Sequence, residues 1–87
     1  MDITERFLDE EGRIKQLPAR REPRLAVLSY LADKFECRDY TEKEVNAIIE
    51  SWHTFGDYFV LRRELIDSGL MHREPDGSRY WKEEKES

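Results

Sequence analysis

The chain has 87 residues, 38% of them hydrophobic and 40% charged, with a formal net charge of −5 at neutral pH. That length supports one domain over residues 1–87 with a single modest core, burying roughly 60–65% of the surface the unfolded chain exposes. No apolar run approaches the ~18 residues of a membrane helix, no apolar segment follows Met1, and one cysteine builds no disulfide framework, so the composition excludes a membrane span and a secreted disulfide scaffold and points to the cytoplasm.

Charge is unevenly placed. Residues 1–12 carry Asp2, Glu5, Asp9, Glu10 and Glu11 against Arg6, a net of −4. Residues 13–24 reverse it, with Arg13, Lys15, Arg20, Arg21 and Arg24 against Glu22, a net of +4. Residues 1–18 read as an N-terminal arm. Phe7-Leu8, a turn at Asp9-Glu10-Glu11-Gly12 and the alternating Arg13-Ile14-Lys15-Gln16-Leu17 fit a β-hairpin, and residues 3–8 fit a short helical turn equally well.

A first helix is expected from about Glu22-Pro23, since proline is tolerated in a helix's first turn. Leu25, Leu28, Leu31, Ala32 and Phe35 share its apolar stripe, which Val27 and Tyr30 widen. Tyr40, after a connector, suits a short strand. Thr41-Glu42-Lys43-Glu44 is a capping box opening a second helix, with Val45, Ile48, Ile49 and Trp52 on one face. After the turn His53-Thr54-Phe55-Gly56, a third helix is predicted from the N-cap Asp57 to about Ser68, with Gly69 just past its end. Leu70-Met71-His72-Arg73-Glu74 and Arg79-Tyr80-Trp81-Lys82 read as strands around the Asp76-Gly77 turn. Residues 83–87 form a charged end expected to fray. The predicted core is Leu28, Leu31, Phe35, Val45, Ile48, Ile49, Trp52, Leu61, Leu65, Leu70 and Trp81. The fold class is mainly α with a small β-hairpin wing (α+β): a winged helix-turn-helix with an N-terminal β-hairpin or extended arm.

Three blocks of the chain resemble a bacterial family, domain of unknown function 2087. They are Phe7-Leu8-Asp9-Glu10-Glu11-Gly12-Arg13-Ile14-Lys15-Gln16-Leu17-Pro18, Tyr40-Thr41-Glu42-Lys43-Glu44-Val45-Asn46, and Asp57-Tyr58 with Leu61-Arg62-Arg63-Glu64-Leu65-Ile66-Asp67, completed by Gly69-Leu70 and Gly77-Ser78-Arg79-Tyr80-Trp81. The resemblance implies a winged-helix-like fold and an association with transcription-regulator domains, and no settled activity. Phe59-Val60 departs from it, standing where the family more often has small or polar residues.

Two functions from different classes fit. In the first, the domain serves transcriptional control by binding DNA or as an accessory of a DNA-binding regulator. Arg62 and Arg63 on the third helix, Arg79 and Lys82 on the wing, and Arg20 and Arg21 ahead of the first helix are the candidate nucleic-acid contacts, because arginine grips phosphate and guanine bidentately. Residues 57–82 are nevertheless neutral overall, so affinity for random DNA should be no better than about 10⁻⁵ M at physiological salt. In the second, the domain keeps the winged-helix shape without binding DNA and docks a partner protein or a second copy through Phe59, Val60 and Ile66. A continuous positive face across third helix and wing favours the first, and a mixed face the second. Arg62 and Arg63 are expected to be exposed, their double replacement leaving the melting temperature little changed. No catalytic motif, small-molecule substrate, cofactor or metal pattern is recognisable: the glycines are isolated, and Cys37, His53 and His72 match no zinc spacing.

Overall fold

Apolar residues at helical spacing organise three α-helices, α1 (Arg21–Ala32), α2 (Glu42–Ser51) and α3 (Tyr58–Asp67). Between and after them lie three two-residue strands, β1 (Asp39–Tyr40), β2 (His72–Arg73) and β3 (Tyr80–Trp81), and a 3-10 helix, Ile3–Phe7, comes first. The structure is a computed structural model and describes residues 3–54, 56 and 58–82. The proposed N-cap Asp57 and the tail 83–87 lie outside the described residues.

The strands form one antiparallel sheet in the order β1-β3-β2, with Tyr40 opposite Tyr80 and Asp39 opposite Trp81. On the other side of β3, Arg73 pairs with Tyr80 and His72 with Trp81. Side chains alternate along a strand, so Tyr40 and Tyr80 turn together into the core, both buried. Phe35 meets Tyr40 edge to face at 5.3 Å. The molecule is thus α+β: helices on one side of a small sheet.

The capping box forms as the sequence predicts. The Glu44 N–H donates to Thr41 Oγ1 at 3.1 Å, and the Thr41 N–H donates to Glu44 Oε1 at 2.8 Å. These bonds hold the Glu44 carboxyl below its ordinary value of 4.5, the Thr41 backbone N–H contributing most. At the far end of α3, Gly69 takes φ +81°, the left-handed conformation that favours glycine. The Met71 N–H then donates to the Leu65 carbonyl at 3.0 Å, turning the chain into the β2–β3 hairpin.

Three points refine the expectations. Of the two readings of the arm's start, the helical turn forms, as the 3-10 helix Ile3–Phe7, and after it Leu8 and Ile14 make one isolated antiparallel bridge, while Ile14 makes a parallel one with His53. The Leu8–Ile14 bridge is carried by the Asp9 N–H on the Arg13 carbonyl (2.8 Å) and the Lys15 N–H on the Phe7 carbonyl (2.8 Å), so Ile14's own backbone faces the end of α2, its N–H on the Trp52 carbonyl (2.7 Å) and its carbonyl on the Thr54 N–H (2.9 Å). Next, α1 ends at Ala32, and Phe35 reaches the core from the following turn. Finally, Leu25 is exposed, because the burial of Val27 rotates the packed face of α1 away from it.

The core comprises Ile14, Val27, Leu28, Leu31, Ala32, Phe35, Tyr40, Val45, Ile49, Leu61, Leu65, Met71 and Tyr80. Ile48, Trp52 and Leu70, predicted as core, are half-buried against it, and Trp81 is half-buried at the sheet. Among the described residues no buried side-chain nitrogen or oxygen lacks a hydrogen-bond partner. No described helix is long and apolar enough to cross a membrane.

Candidate docking face between α3 and the hairpin

The outer surface of α3 is only partly polar. Phe59 and Val60 are 48% and 46% exposed, while Leu61 and Leu65, one helical face away, are buried. Ile66 packs partly against the core. Between α3 and the β2–β3 hairpin runs a cleft of about 360 Å³ lined by Phe59, Arg62, Arg63, Ile66, Asp67, Arg73 and Tyr80. No residue of the N-terminal arm is among the described residues that line this cleft.

The candidate nucleic-acid residues separate into two groups. Arg62 is an internal tie, with a side chain only 14% exposed. It donates to Asn46 Oδ1 at 2.6 Å and pairs with Glu42 Oε1 at 3.2 Å, joining α3 to α2. Glu42 Oε1 also accepts from the Tyr80 hydroxyl at 3.3 Å, so the same carboxylate draws in β3. Exposure was the condition for Arg62 to read DNA, and its side chain does not meet it. Arg79 is held between Glu74 (2.6 Å) and Asp39 (3.5 Å) and lies over the Trp81 ring at 4.5 Å. The Glu74 hydrogen bond is the main cause raising its guanidinium above the ordinary value. Lys82 donates to the Ala32 and Phe35 carbonyls at 3.0 and 3.2 Å. A cation at a helix C-terminus is favoured there by the orphan carbonyls and the helix dipole, so Lys82 closes α1 and anchors the hairpin to it.

Arg63, Arg20 and Arg21 remain open to solvent. Arg63 is 73% exposed, with only a loose 3.7 Å pairing to Asp67 one turn on. Arg20 and Arg21 are exposed and make no ion pair among the described residues. The rest of the basic segment is partly neutralised: Arg13 pairs with Asp9 and Glu11, and Arg24 pairs with Glu64 across to α3. The face across α3 and the hairpin is therefore mixed, with cations, a carboxylate and apolar side chains interleaved. Arg73, a cation of the predicted strand over residues 70–74, belongs to this face. It lies exposed in the cleft, and only its register opposite Tyr80 brings it there. Among the described residues no three His, Cys, Asp or Glu side chains stand close enough to hold a metal ion.

Residues 13–82 match the family described as an uncharacterized protein conserved in bacteria (DUF2087). The chain belongs to this family. The match covers most of the chain, including every residue of the α3–hairpin cleft. No curated protein and no solved structure matches.

Proposed function

We propose that this DUF2087 chain is a winged-helix domain that works without catalysis as an accessory, protein-docking module of transcriptional regulation. The helix–strand–helix–helix–hairpin order and the β1-β3-β2 sheet support the winged-helix part of the reading. The observation that carries the docking part is the division of labour on α3: Arg62 is consumed by Asn46 and Glu42, while Phe59 and Val60 face solvent. A base-reading helix needs free donors in the groove. This helix offers apolar area beside a cleft whose exposed charges are Arg63, Arg73 and Asp67, the last loosely paired with Arg63. The complementary ligand is a protein segment with an apolar side chain against Phe59 and Ile66 and carboxylates toward the two arginines.

Duplex binding is the second reading, favoured by the exposure of Arg63, Arg20 and Arg21. Anisotropy titration of a mixed duplex pool at ~50 mM salt, where screening is weakest, separates the two. The docking reading expects no duplex binding tighter than about 10⁻⁵ M. It also expects peptides selected from a random display library to be acidic and apolar, and to lose about tenfold in affinity on Phe59→Ala or Arg73→Ala. Tighter duplex binding, with a log–log salt slope near −0.9 per phosphate and loss on Arg63→Ala, overturns it.

A further inference from the structure

A second concavity shares no residue with the α3–hairpin cleft. It is an open groove of about 690 Å³ between the 3-10 helix and the start of α1. Phe7, Pro18 and Pro23 give it apolar walls, and Arg6, Arg20 and Arg21 all line it with exposed side chains. Among the described residues that line it Glu22 is the one carboxylate, so their formal charge is +2. Of the neighbouring acids, Asp9 and Glu11 are engaged by Arg13 and Glu64 by Arg24, while Glu5 and Glu10 are exposed and do not line the groove.

We propose that this groove binds a small phosphate-bearing molecule with a planar ring, of the nucleotide class. Guanidinium groups match phosphate oxygens in bidentate geometry. The +2 excess complements a phosphate dianion. The volume lies within the ~300–1,000 Å³ typical of small-ligand sites. Phosphate recognition alone needs no apolar wall, whereas the half-buried Phe7 and Pro23 supply one on which a ring can lie. Gln16 adds an amide with both donors and an acceptor for the ring edge. This concave, walled shape distinguishes the site from a phosphate-tracking strip on a convex face.

The test is calorimetry and amide chemical-shift mapping of the 87-residue chain with ADP, AMP, pyrophosphate, adenosine and a short DNA duplex. ADP is expected to bind with a Kd below ~1 mM and to move the amides of Arg6, Phe7, Gln16 and residues 19–22. Adenosine should bind at least about tenfold more weakly. Arg20→Ala/Arg21→Ala should lower ADP affinity by at least about tenfold, with the melting curve unchanged because both side chains are exposed. Lys43→Ala, on the exposed start of α2, serves as the charge control and should bind ADP as the parent does. The proposal is overturned by absence of ADP binding, by pyrophosphate binding as tightly as ADP, by loss of binding in the Lys43 control equal to that in the double variant, or by a duplex alone moving these amides.

Discussion

Replacing Arg62 with alanine tests whether this arginine is a structural tie or a recognition residue. The change removes the 2.6 Å bond to Asn46 and the 3.2 Å pairing with Glu42, together with the cation–π approach to Phe59 at 5.1 Å. A hydrogen bond from a charged donor contributes about 1.5–3 kcal/mol when buried, and an ion pair to a half-exposed carboxylate adds less than about 1 kcal/mol. Allowing for the partial exposure of Glu42, we expect a loss of about 2 kcal/mol. For a domain of this size each kcal/mol moves the melting temperature by about 4–8 °C, so Arg62→Ala should melt roughly 8–16 °C lower. Arg63→Ala, on an open side chain with one loose pairing, should stay within about 0.5 kcal/mol of the parent. Arg62→Lys keeps the charge but not the planar fork and should fall between. Thermal denaturation by circular dichroism reads all three. The double replacement at 62 and 63 is therefore not neutral for stability, contrary to what the bare sequence suggests. Equal, small shifts for Arg62→Ala and Arg63→Ala would refute the tie, as would a cycle with Asn46→Ala showing no coupling.

Ile49→Ala should cost about 2–5 kcal/mol, close to the whole stability of a small domain, whereas Ile48→Ala, at a half-buried position, should cost clearly less; urea titration checks the order. Lys82→Met should lower stability by about 1 kcal/mol, while leaving peptide affinity at the α3 cleft unchanged, since its bonds go to the Ala32 carbonyl at the end of α1 and the Phe35 carbonyl in the turn after it. The Glu44 carboxyl is depressed below 4.5 chiefly by the Thr41 backbone N–H, and Asp9 below 3.8 chiefly by the Arg13 backbone N–H. Depressed carboxyls stabilise the folded state above their unfolded values, and that contribution disappears as pH falls through the folded ones. Melting temperature should therefore hold from neutral pH to about 5, then fall, and Glu44→Gln should lower the plateau while flattening part of the fall.

The helices were legible because their signals are local. Thr41 and Glu44 are three residues apart, and Val45, Ile49, Leu61 and Leu65 repeat at helical spacing, so neighbouring residues alone determine cap and buried face. The hairpin turn was legible for the same reason, through Asp76-Gly77. What escaped was set by partners distant in sequence. Nothing near Ile14 announces that its backbone is taken by residues 52–54, so the attachment of the arm to the end of α2 was not legible, and residues 3–8 fitted a strand and a helical turn equally well. Tyr80 and Tyr40 enter the core because β1 and β3 register them opposite each other. The same blindness affected the candidate site. Arg62 and Arg63 are adjacent and chemically identical, yet one faces Asn46 and Glu42 on α2 and the other faces solvent. Only the docking of α2 on α3 distinguishes them.

That docking also explains why counting cations on a helix-turn-helix face overstates its affinity for nucleic acid. A core built from short helices and two-residue strands leaves junctions that apolar contact alone does not close, and in this chain long cationic side chains close them. Arg62 joins α2 to α3, Arg24 joins α1 to α3, Lys82 joins the hairpin to α1, and Arg79 holds β1 and the hairpin together through Asp39 and Glu74. Arg62 and Lys82 are largely withdrawn from the surface by these contacts, Arg24 partly, and Arg79 stays exposed but is held by two carboxylates. What the α3–hairpin face then presents is the remainder: Phe59, Val60, Arg63 and Arg73. Two cations flanking apolar area neutralise few phosphates and so generate little counterion release, but they suffice to orient a partner's carboxylates around an apolar anchor. Removing a tie and removing a presented side chain should therefore act on different observables. Arg62→Ala changes the melting temperature, Arg73→Ala changes affinity for acidic peptides, and a face built for duplex binding would join the two effects in the same residues.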